Sequence, residues 1–324
     1  MKQKEDIKKI LDPINQLSLY GYEIYFSNFI KLFKKNLFPN SILLNSPKGM
    51  GKSTFAYHFI NYILSTNQSN NYSIDNYSIN PNNISYRHVC NNTHPNFFLV
   101  KNFPKEKQIK IEQIRALKKY LNHSTLSSEY KVILIDNAEN LNLNSANALL
   151  KVIEEPNKNV FFILIQNSNQ NILKTIKSRC IEFKLTFSRN DQEKIFKSLF
   201  HQYGFDINSY ENIYKSVYET PGNLLKIFSL LNLFNKEFST NNIENIFNLI
   251  DIYDKNKDIE ILNFVSIFIE NYYTNLCKEN YKNFNKHYFN FKKVLKTLSD
   301  MHKFNLSDKN NLTFVKEILY YETR

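Results

Sequence analysis

The sequence predicts an α/β fold over roughly the first 185 residues and a helical remainder. Three observations predict it. A glycine-containing loop, Pro47-Lys48-Gly49-Met50-Gly51-Lys52-Ser53-Thr54, joins a short apolar run to an apolar-periodic segment. Further apolar runs, Val132–Ile135 and Val160–Ile165, end in Asp136 and in Gln166-Asn167. From Phe187 onward the apolar spacing becomes helical. Runs apolar at every position suit strands buried on both faces, as parallel sheets require. Their alternation with helical segments is the pattern of a doubly wound sheet.

The loop is the most informative stretch. Ile42-Leu43-Leu44 reads as a buried strand and Phe55–Leu64 as a helix. That order of strand, glycine loop and helix is what a phosphate cradle needs. Gly51 lets backbone N–H groups approach an anion without a side chain in the way. Lys52 can reach the β- and γ-phosphates of a nucleotide, and the Ser53 hydroxyl can hold Mg²⁺. Gly49, Gly51, Lys52, Ser53 and Thr54 are therefore the candidate phosphate set, with ATP and Mg²⁺ the candidate ligands. Of the chain's 5 glycines, two lie in this loop. Ser46 stands where the full G-x-x-x-x-G-K-[ST] pattern has its first glycine, and it fits comfortably only with negative φ. The alternative is an ordinary glycine turn between strand and helix.

Composition sets the outer bounds. A chain of 324 residues with 42% hydrophobic content is globular and has room for two or three domains. Its 3 cysteines, Cys90, Cys180 and Cys277, lie far apart without C-x-x-C spacing. No disulfide framework or zinc site is expected, and a reducing cytoplasm is the simplest setting. The opening MKQKEDIKKILD has no apolar core, so it does not read as a signal peptide. No apolar run is long enough to span a bilayer, and no membrane role is expected. The net charge of +12 is compatible with nucleic acid. It is more simply the mark of a Lys- and Asn-rich chain from AT-rich coding, because the lysines are scattered.

In chain order, residues 3–12 read as a short helix or an ordered arm, and Leu17–Lys35 as a helix after a turn at Tyr20-Gly21. Residues 65–83 are Asn/Ser-rich and read as a solvent-exposed loop or insertion. His94 precedes a proline and reads as a turn or capping residue, not a metal ligand. Phe97–Val100 reads as a strand and Ile109–Leu121 as an amphipathic helix.

Lys131–Glu139 (KVILIDNAE) is a buried strand that delivers Asp136 beside the phosphate loop, where it can share Mg²⁺ with Ser53. The next residue, Asn137, cannot act as a base toward water. Ser145–Glu155 is a helix stopped by Pro156. Ile181–Leu185 is a further strand. Arg189-Asn190-Asp191 caps a helix over Gln192–Gln202, a second spans about 208–219, and Pro221-Gly222-Asn223 starts a third. From Phe247 the chain is mostly helical, and its stripe of Ile261, Phe264, Val265, Phe268 and Ile269 suits either a core or a subunit contact.

Several of these stretches together resemble the clamp-loader subunits of the AAA+ class, most of all the δ′ subunits of bacterial DNA polymerase III. They are Gly49-x-Gly51-Lys52-Ser53, IKIEQIRALKKYL, ILIDNAE, Asn147-Ala148-Leu149-Leu150-Lys151-x-x-Glu154-Glu155-Pro156 and Thr175-Ile176-x-Ser178-Arg179-Cys180. His94-Pro95-Asn96 is similar to a His-Pro-Asp of δ′ chains. The likeness is dense over about 15–235.

It implies an α/β fold, a P-loop NTPase (AAA+) parallel-sheet core at 1–186, followed by a small helical lid at 187–236 and an all-α C-terminal collar domain at 237–324. It implies γ/τ and δ partners in a hetero-pentamer that loads a sliding clamp onto primed DNA. By position, Lys52 and Ser53 would bind phosphate and Mg²⁺, Asp136 would be the metal-side acid and Asn167 the polar sensor near the γ-phosphate. Arg179 would be an arginine finger offered to the neighbouring subunit's ATP site, and a surface salt bridge is its plainer alternative.

Four departures qualify the likeness: Asn137 for the catalytic Glu, Leu225 for the lid's phosphate-sensing Arg, Ser46 for glycine, and the absent zinc cysteines. They imply a subunit that cleaves ATP poorly or not at all and acts as a stator. An ATP-hydrolysing γ/τ-type motor is the alternative, and an unrelated P-loop protein a more distant one.

Overall fold

The structure, a computed structural model, describes residues 11–103, 106, 108–122, 130–156, 159–205, 219–234, 236, 239, 242–279, 283–304 and 309–322. The helix expected over about 208–219 and the arm expected over 3–12 lie outside the described residues, except at their last positions. Among the described residues one compact unit runs to residue 198 and takes in 220–222; the other holds 199–219 and everything from 223 on.

The first unit is built on five parallel strands: β1 (Ser41–Ser46), β2 (Phe97–Val100), β3 (Lys131–Ile135), β4 (Val160–Asn167) and β5 (Ile181–Lys184), in the order β2-β3-β4-β1-β5. Every position of β3 is buried, and in β4 all but the last, so runs without a polar face became central strands. Register does the functional work. Ser46 pairs with Asn167 and Val100 with Ile135, so the phosphate loop, Asp136 and Asn167 all leave the sheet at its carboxyl edge.

The helices of this unit are α1 (Glu23–Lys34), α2 (Lys52–Ser65), α3 (Ile84–Cys90), α4 (Ile111–Asn122), α5 (Leu143–Ile153) and the one-turn α6 (Lys174–Lys177). On one sheet face Phe26 and Phe29 of α1 interlock with Phe55 and Phe59 of α2 as edge-to-face rings. On the other, Ile114 and Leu117 of α4 pack with Leu149 and Ile153 of α5.

Two local expectations need correction, and two further features carried none. Residues 65–83 are irregular, but they are not simply solvent-exposed: Tyr72 and Ile79 are 5% and 3% exposed, and Tyr72 stacks on Phe26 at 5.0 Å. The reason is anchoring. Backbone bonds tie the segment to residues 17–19, the Ser65 hydroxyl accepts Tyr72 N–H at 3.1 Å, and the Tyr72 hydroxyl meets buried His58 at 2.9 Å. Next comes α3, a helix that sparse apolar residues did not reveal, capped by the Asn83 side chain on Tyr86 N–H at 2.8 Å. Strand β5, the alternating run, lies at the sheet's edge, and Ile181 is 54% exposed. Finally, α7 (Arg189–Gln202) starts three residues before Gln192, because the Ser188 hydroxyl caps Asp191 N–H at 3.2 Å. His94 is a turn residue: Nδ1 accepts Asn96 N–H at 3.1 Å and Nε2 lies 3.0 Å from the Ser85 hydroxyl.

The second unit is helical: α8 (Pro221–Leu233) from residue 223, α9 (Asn242–Asn256), α10 (Ile259–Glu279), α11 (Phe284–Phe304) and α12 (Lys309–Glu322). The α10 stripe is core: Ile261, Phe264, Val265, Phe268 and Ile269 are all buried within the chain. Leu225 is buried as well, so its role here is packing. Glu322 fastens the last helix, meeting His287 Nδ1 and accepting from Asn290 Nδ2, each at 2.6 Å. Among the described residues no helix is long and apolar enough to cross a membrane.

Candidate phosphate-loop site

Strand β1 runs through Ser46, so that residue needs no positive φ and the serine costs the loop nothing. The left-handed positions fall on Gly49 (φ 83°) and Gly51 (φ 89°), where any other residue would be strained. Gly51 is the N-cap of α2, which puts Lys52, Ser53 and Thr54 on the helix's first turn with its free N–H groups. From the α1 side, the buried Tyr22 hydroxyl donates to Met50 O at 2.8 Å and steadies the loop. Two contacts close it from elsewhere in the chain: the Thr220 hydroxyl donates to Lys48 O at 2.9 Å, and Gly222 N–H donates to Gly49 O at 2.9 Å.

Lys52 is 4% exposed. Its ammonium donates to Ser46 O (2.7 Å), Pro47 O (2.9 Å) and Asn167 Oδ1 (3.1 Å), which uses its three protons. Burial lowers its pKa to about 8, while Glu139 and Asp136 push the other way. Ser53 Oγ donates to Asp136 Oδ1 at 3.3 Å, so these expected metal-side groups do meet. Burial raises the Asp136 pKa, against the bond from Ser53. Ser53 and Asp136 are the oxygen donors that would hold a divalent ion such as Mg²⁺, which would supply charge neutralisation to a bound phosphate.

Asn137 is left-handed (φ 56°), a conformation Asn tolerates better than Glu. Its side-chain carbonyl accepts Asn167 Nδ2 at 3.2 Å. Three site residues escaped sequence reasoning, and Glu139 is the charged one among them. Glu139, three positions past Asp136, accepts Asn167 Nδ2 on Oε1 at 2.6 Å. Its other oxygen, Oε2, is buried without a hydrogen-bond partner among the described residues, and burial raises its pKa. The only available signal was an acid on the turn after a strand-end Asp. Gly222 and Thr220 were equally hidden, because about 170 residues separate them from the loop.

The structure does not bring Arg179 into this constellation. It sits half-exposed on the turn after α6, pairs with Glu154 through Nε at 2.6 Å and Nη2, and donates through Nη1 to Thr175 O at 3.0 Å. Thr54 stands on the first turn of α2. The three cysteines are free thiols.

Parallel strands in this order, a glycine loop on a helix N-terminus, a lysine within it and a strand-end Asp on the helix's Ser define a P-loop protein of the AAA+ kind. The family described as DNA polymerase III, delta subunit matches residues 22–188, and the chain belongs to that family. DNA polymerase III subunit delta′ of Pseudomonas aeruginosa is 39% identical over 90 residues, which is 28% of this chain and 27% of that protein. DNA polymerase III subunit gamma of Buchnera aphidicola is 34% identical over 148 residues, covering 44% and 40%. The chain thus spans less than half the length of these relatives. A crystal structure of a gamma-subunit-related protein from Thermotoga maritima covers 92% of this chain and 98% of its own, at 16% identity and a TM-score of 0.45.

Proposed function

We propose that this chain is the δ′-type stator of a DNA polymerase III clamp loader. It would hold nucleotide phosphate without hydrolysing it efficiently and lend Arg179 to the ATP site of the subunit beside it. Its partners would be γ/τ and δ subunits in a hetero-pentamer, acting in the cytoplasm on a sliding clamp and primed DNA. The three-part division at 1–186, 187–236 and 237–324, with core, lid and collar roles, belongs to the same reading.

One observation carries it. The residue after Asp136 is Asn137, whose side chain is an amide that cannot take a proton from water and whose carbonyl is occupied by Asn167 Nδ2 at 3.2 Å. The exposed turn that carries Arg179 supports the trans role, since a weak surface pair with Glu154 can be exchanged for a phosphate. A γ/τ-type motor is the second reading, favoured by the gamma-named relatives.

The test is a reconstituted loader. Arg179→Ala should cut DNA-stimulated ATPase sharply, an arginine finger being worth roughly 10³–10⁵ in rate, whereas Lys52→Ala should change it little. Equal collapse in both would mean that this subunit's own site fires. Turnover on the order of 1 s⁻¹ by the purified chain would favour the motor.

A further inference from the structure

Asn167 lies against Lys52, the loop residue that would reach the β- and γ-phosphates of a nucleotide, and its amide has one orientation only. Lys52 is an ammonium and can only donate, so it must face Oδ1. Glu139 is a carboxylate that accepts, so it must face Nδ2. Nδ2 has two protons, and both are spoken for: one by Glu139 Oε1 at 2.6 Å, one by Asn137 Oδ1 at 3.2 Å. What Asn167 shows the phosphate loop is therefore a carbonyl oxygen. A phosphate oxygen placed there would meet lone pairs, with the charge of Glu139 behind them.

The β-phosphate has no such difficulty. It would rest on the loop N–H groups ahead of α2, which do not involve Asn167. A third phosphate would need a donor from Asn167 or the full charge of Lys52. Drawing Lys52 away from Asn167 Oδ1 would also remove the nearby cation that offsets Glu139, whose Oε2 is already buried and unbonded.

We propose that Glu139 is a specificity-determining residue that, by capturing the Asn167 amide, makes this site prefer a nucleoside diphosphate over a triphosphate. The inference rests on the reading that the loop holds nucleotide phosphate. Under it, the subunit remains in one nucleotide state while its neighbours cycle.

The test is calorimetric titration of the purified full chain with Mg·ADP and with the Mg complex of the β,γ-imido analogue of ATP. Wild type should bind ADP at least about tenfold more tightly, a difference of about 1.4 kcal/mol. Glu139→Ala frees the amide and removes the charge, and should bring the two affinities within about threefold. Glu139→Gln retains an acceptor for Asn167 but no charge, and should fall between; it also serves if the alanine variant folds poorly. Asn167→Ala should make the ratio insensitive to Glu139→Ala, which a purely structural role for the carboxylate would not do. A wild-type ratio near one, or a ratio that neither Glu139 variant moves, overturns the inference while leaving nucleotide binding intact. Absence of binding by every form, or binding undiminished by Lys52→Ala, overturns the phosphate-loop reading itself and the inference with it.

Discussion

The backbone N–H of Gly222 donates to the carbonyl of Gly49 at 2.9 Å, so residues 220–222 of the first unit are hydrogen-bonded directly to the phosphate loop. The approach is so close that a Cβ on residue 222 would lie 2.6 Å from that carbonyl oxygen. Glycine is required here for space, not for conformational freedom.

Gly222→Ala should therefore cost about 1–3 kcal/mol, the usual range for forcing atoms into a packed site. It should also weaken nucleotide binding through the displaced Gly49 carbonyl. Denaturant unfolding and nucleotide titration check both effects. Thr220→Val, which removes only the hydroxyl on Lys48 O, should lose about 1 kcal/mol or less. An alanine variant as stable as wild type would mean that the two segments do not touch.

Stability should fall as acid is added through a window set by His58. The imidazole is fully buried, its Nε2 lies 3.0 Å from Gln16 O and its Nδ1 2.9 Å from the Tyr72 hydroxyl. A carbonyl cannot donate, so Nε2 carries the proton and Nδ1 accepts from Tyr72. Burial lowers the pKa from 6.5 to about 4. Above about 6.5 both folded and unfolded chains hold this ring neutral; below it only the unfolded chain takes up the proton. The native state should lose about 3 kcal/mol between those limits. Urea unfolding of wild type and His58→Gln over this range checks it: parallel curves would exclude His58 as the cause.

Tyr72→Phe leaves the ring packing and strands His58 Nδ1 without its donor. A loss of about 1–3 kcal/mol is expected, the cost of an unsatisfied buried acceptor. Proteolysis within residues 65–83 should become faster as the segment loosens, and digestion at the wild-type rate would argue that Tyr72 does not anchor it.

Lys52 links nucleotide affinity to alkaline pH. Its folded pKa is lowered to about 8 from 10.5, so above about 8 the ammonium that a phosphate needs is progressively lost. Bound phosphate favours the charged form, and affinity should decline as pH rises through about 8. The sign reverses for folding without nucleotide. Between about 8 and 10.5 the unfolded chain holds the extra proton, so wild type should gain stability relative to Lys52→Met as pH rises. Titration calorimetry and unfolding across that interval read the two trends, and a flat affinity profile would place the phosphate elsewhere.

Arg179→Ala should barely affect folding. The pair with Glu154 is exposed on both sides, and such pairs contribute about 0–1 kcal/mol. A larger loss in thermal unfolding would mark Arg179 as a structural residue, and the trans role would lose its basis.

The sheet, the loop, Asp136 and the core helices were legible because each is announced by neighbours in sequence: apolar runs for buried strands, glycines for left-handed turns, an acid at a strand's end. The meeting of Ser53 with Asp136 was expected because each follows the carboxyl end of a strand in one parallel sheet. The α10 stripe was legible as apolar but not as core, since composition does not say which surface covers it. Residues 65–83 misled because Tyr72 and Ile79 are too far apart to form a period, yet enough to bury the segment.

What the sequence determined by itself is the local chemistry: a glycine loop at residues 46–54, a strand-end carboxylate at Asp136, an amide at Asn137 beside it, and a helical second half. Only the tertiary structure decided that Gly222 and Thr220 close that loop, that Glu139 claims the Asn167 amide, and that Arg179 lies beside Glu154. The reason is physical. Backbone propensity and apolar periodicity act over a few residues, whereas donor and acceptor pairing is settled where distant segments meet and buried polar groups must find partners.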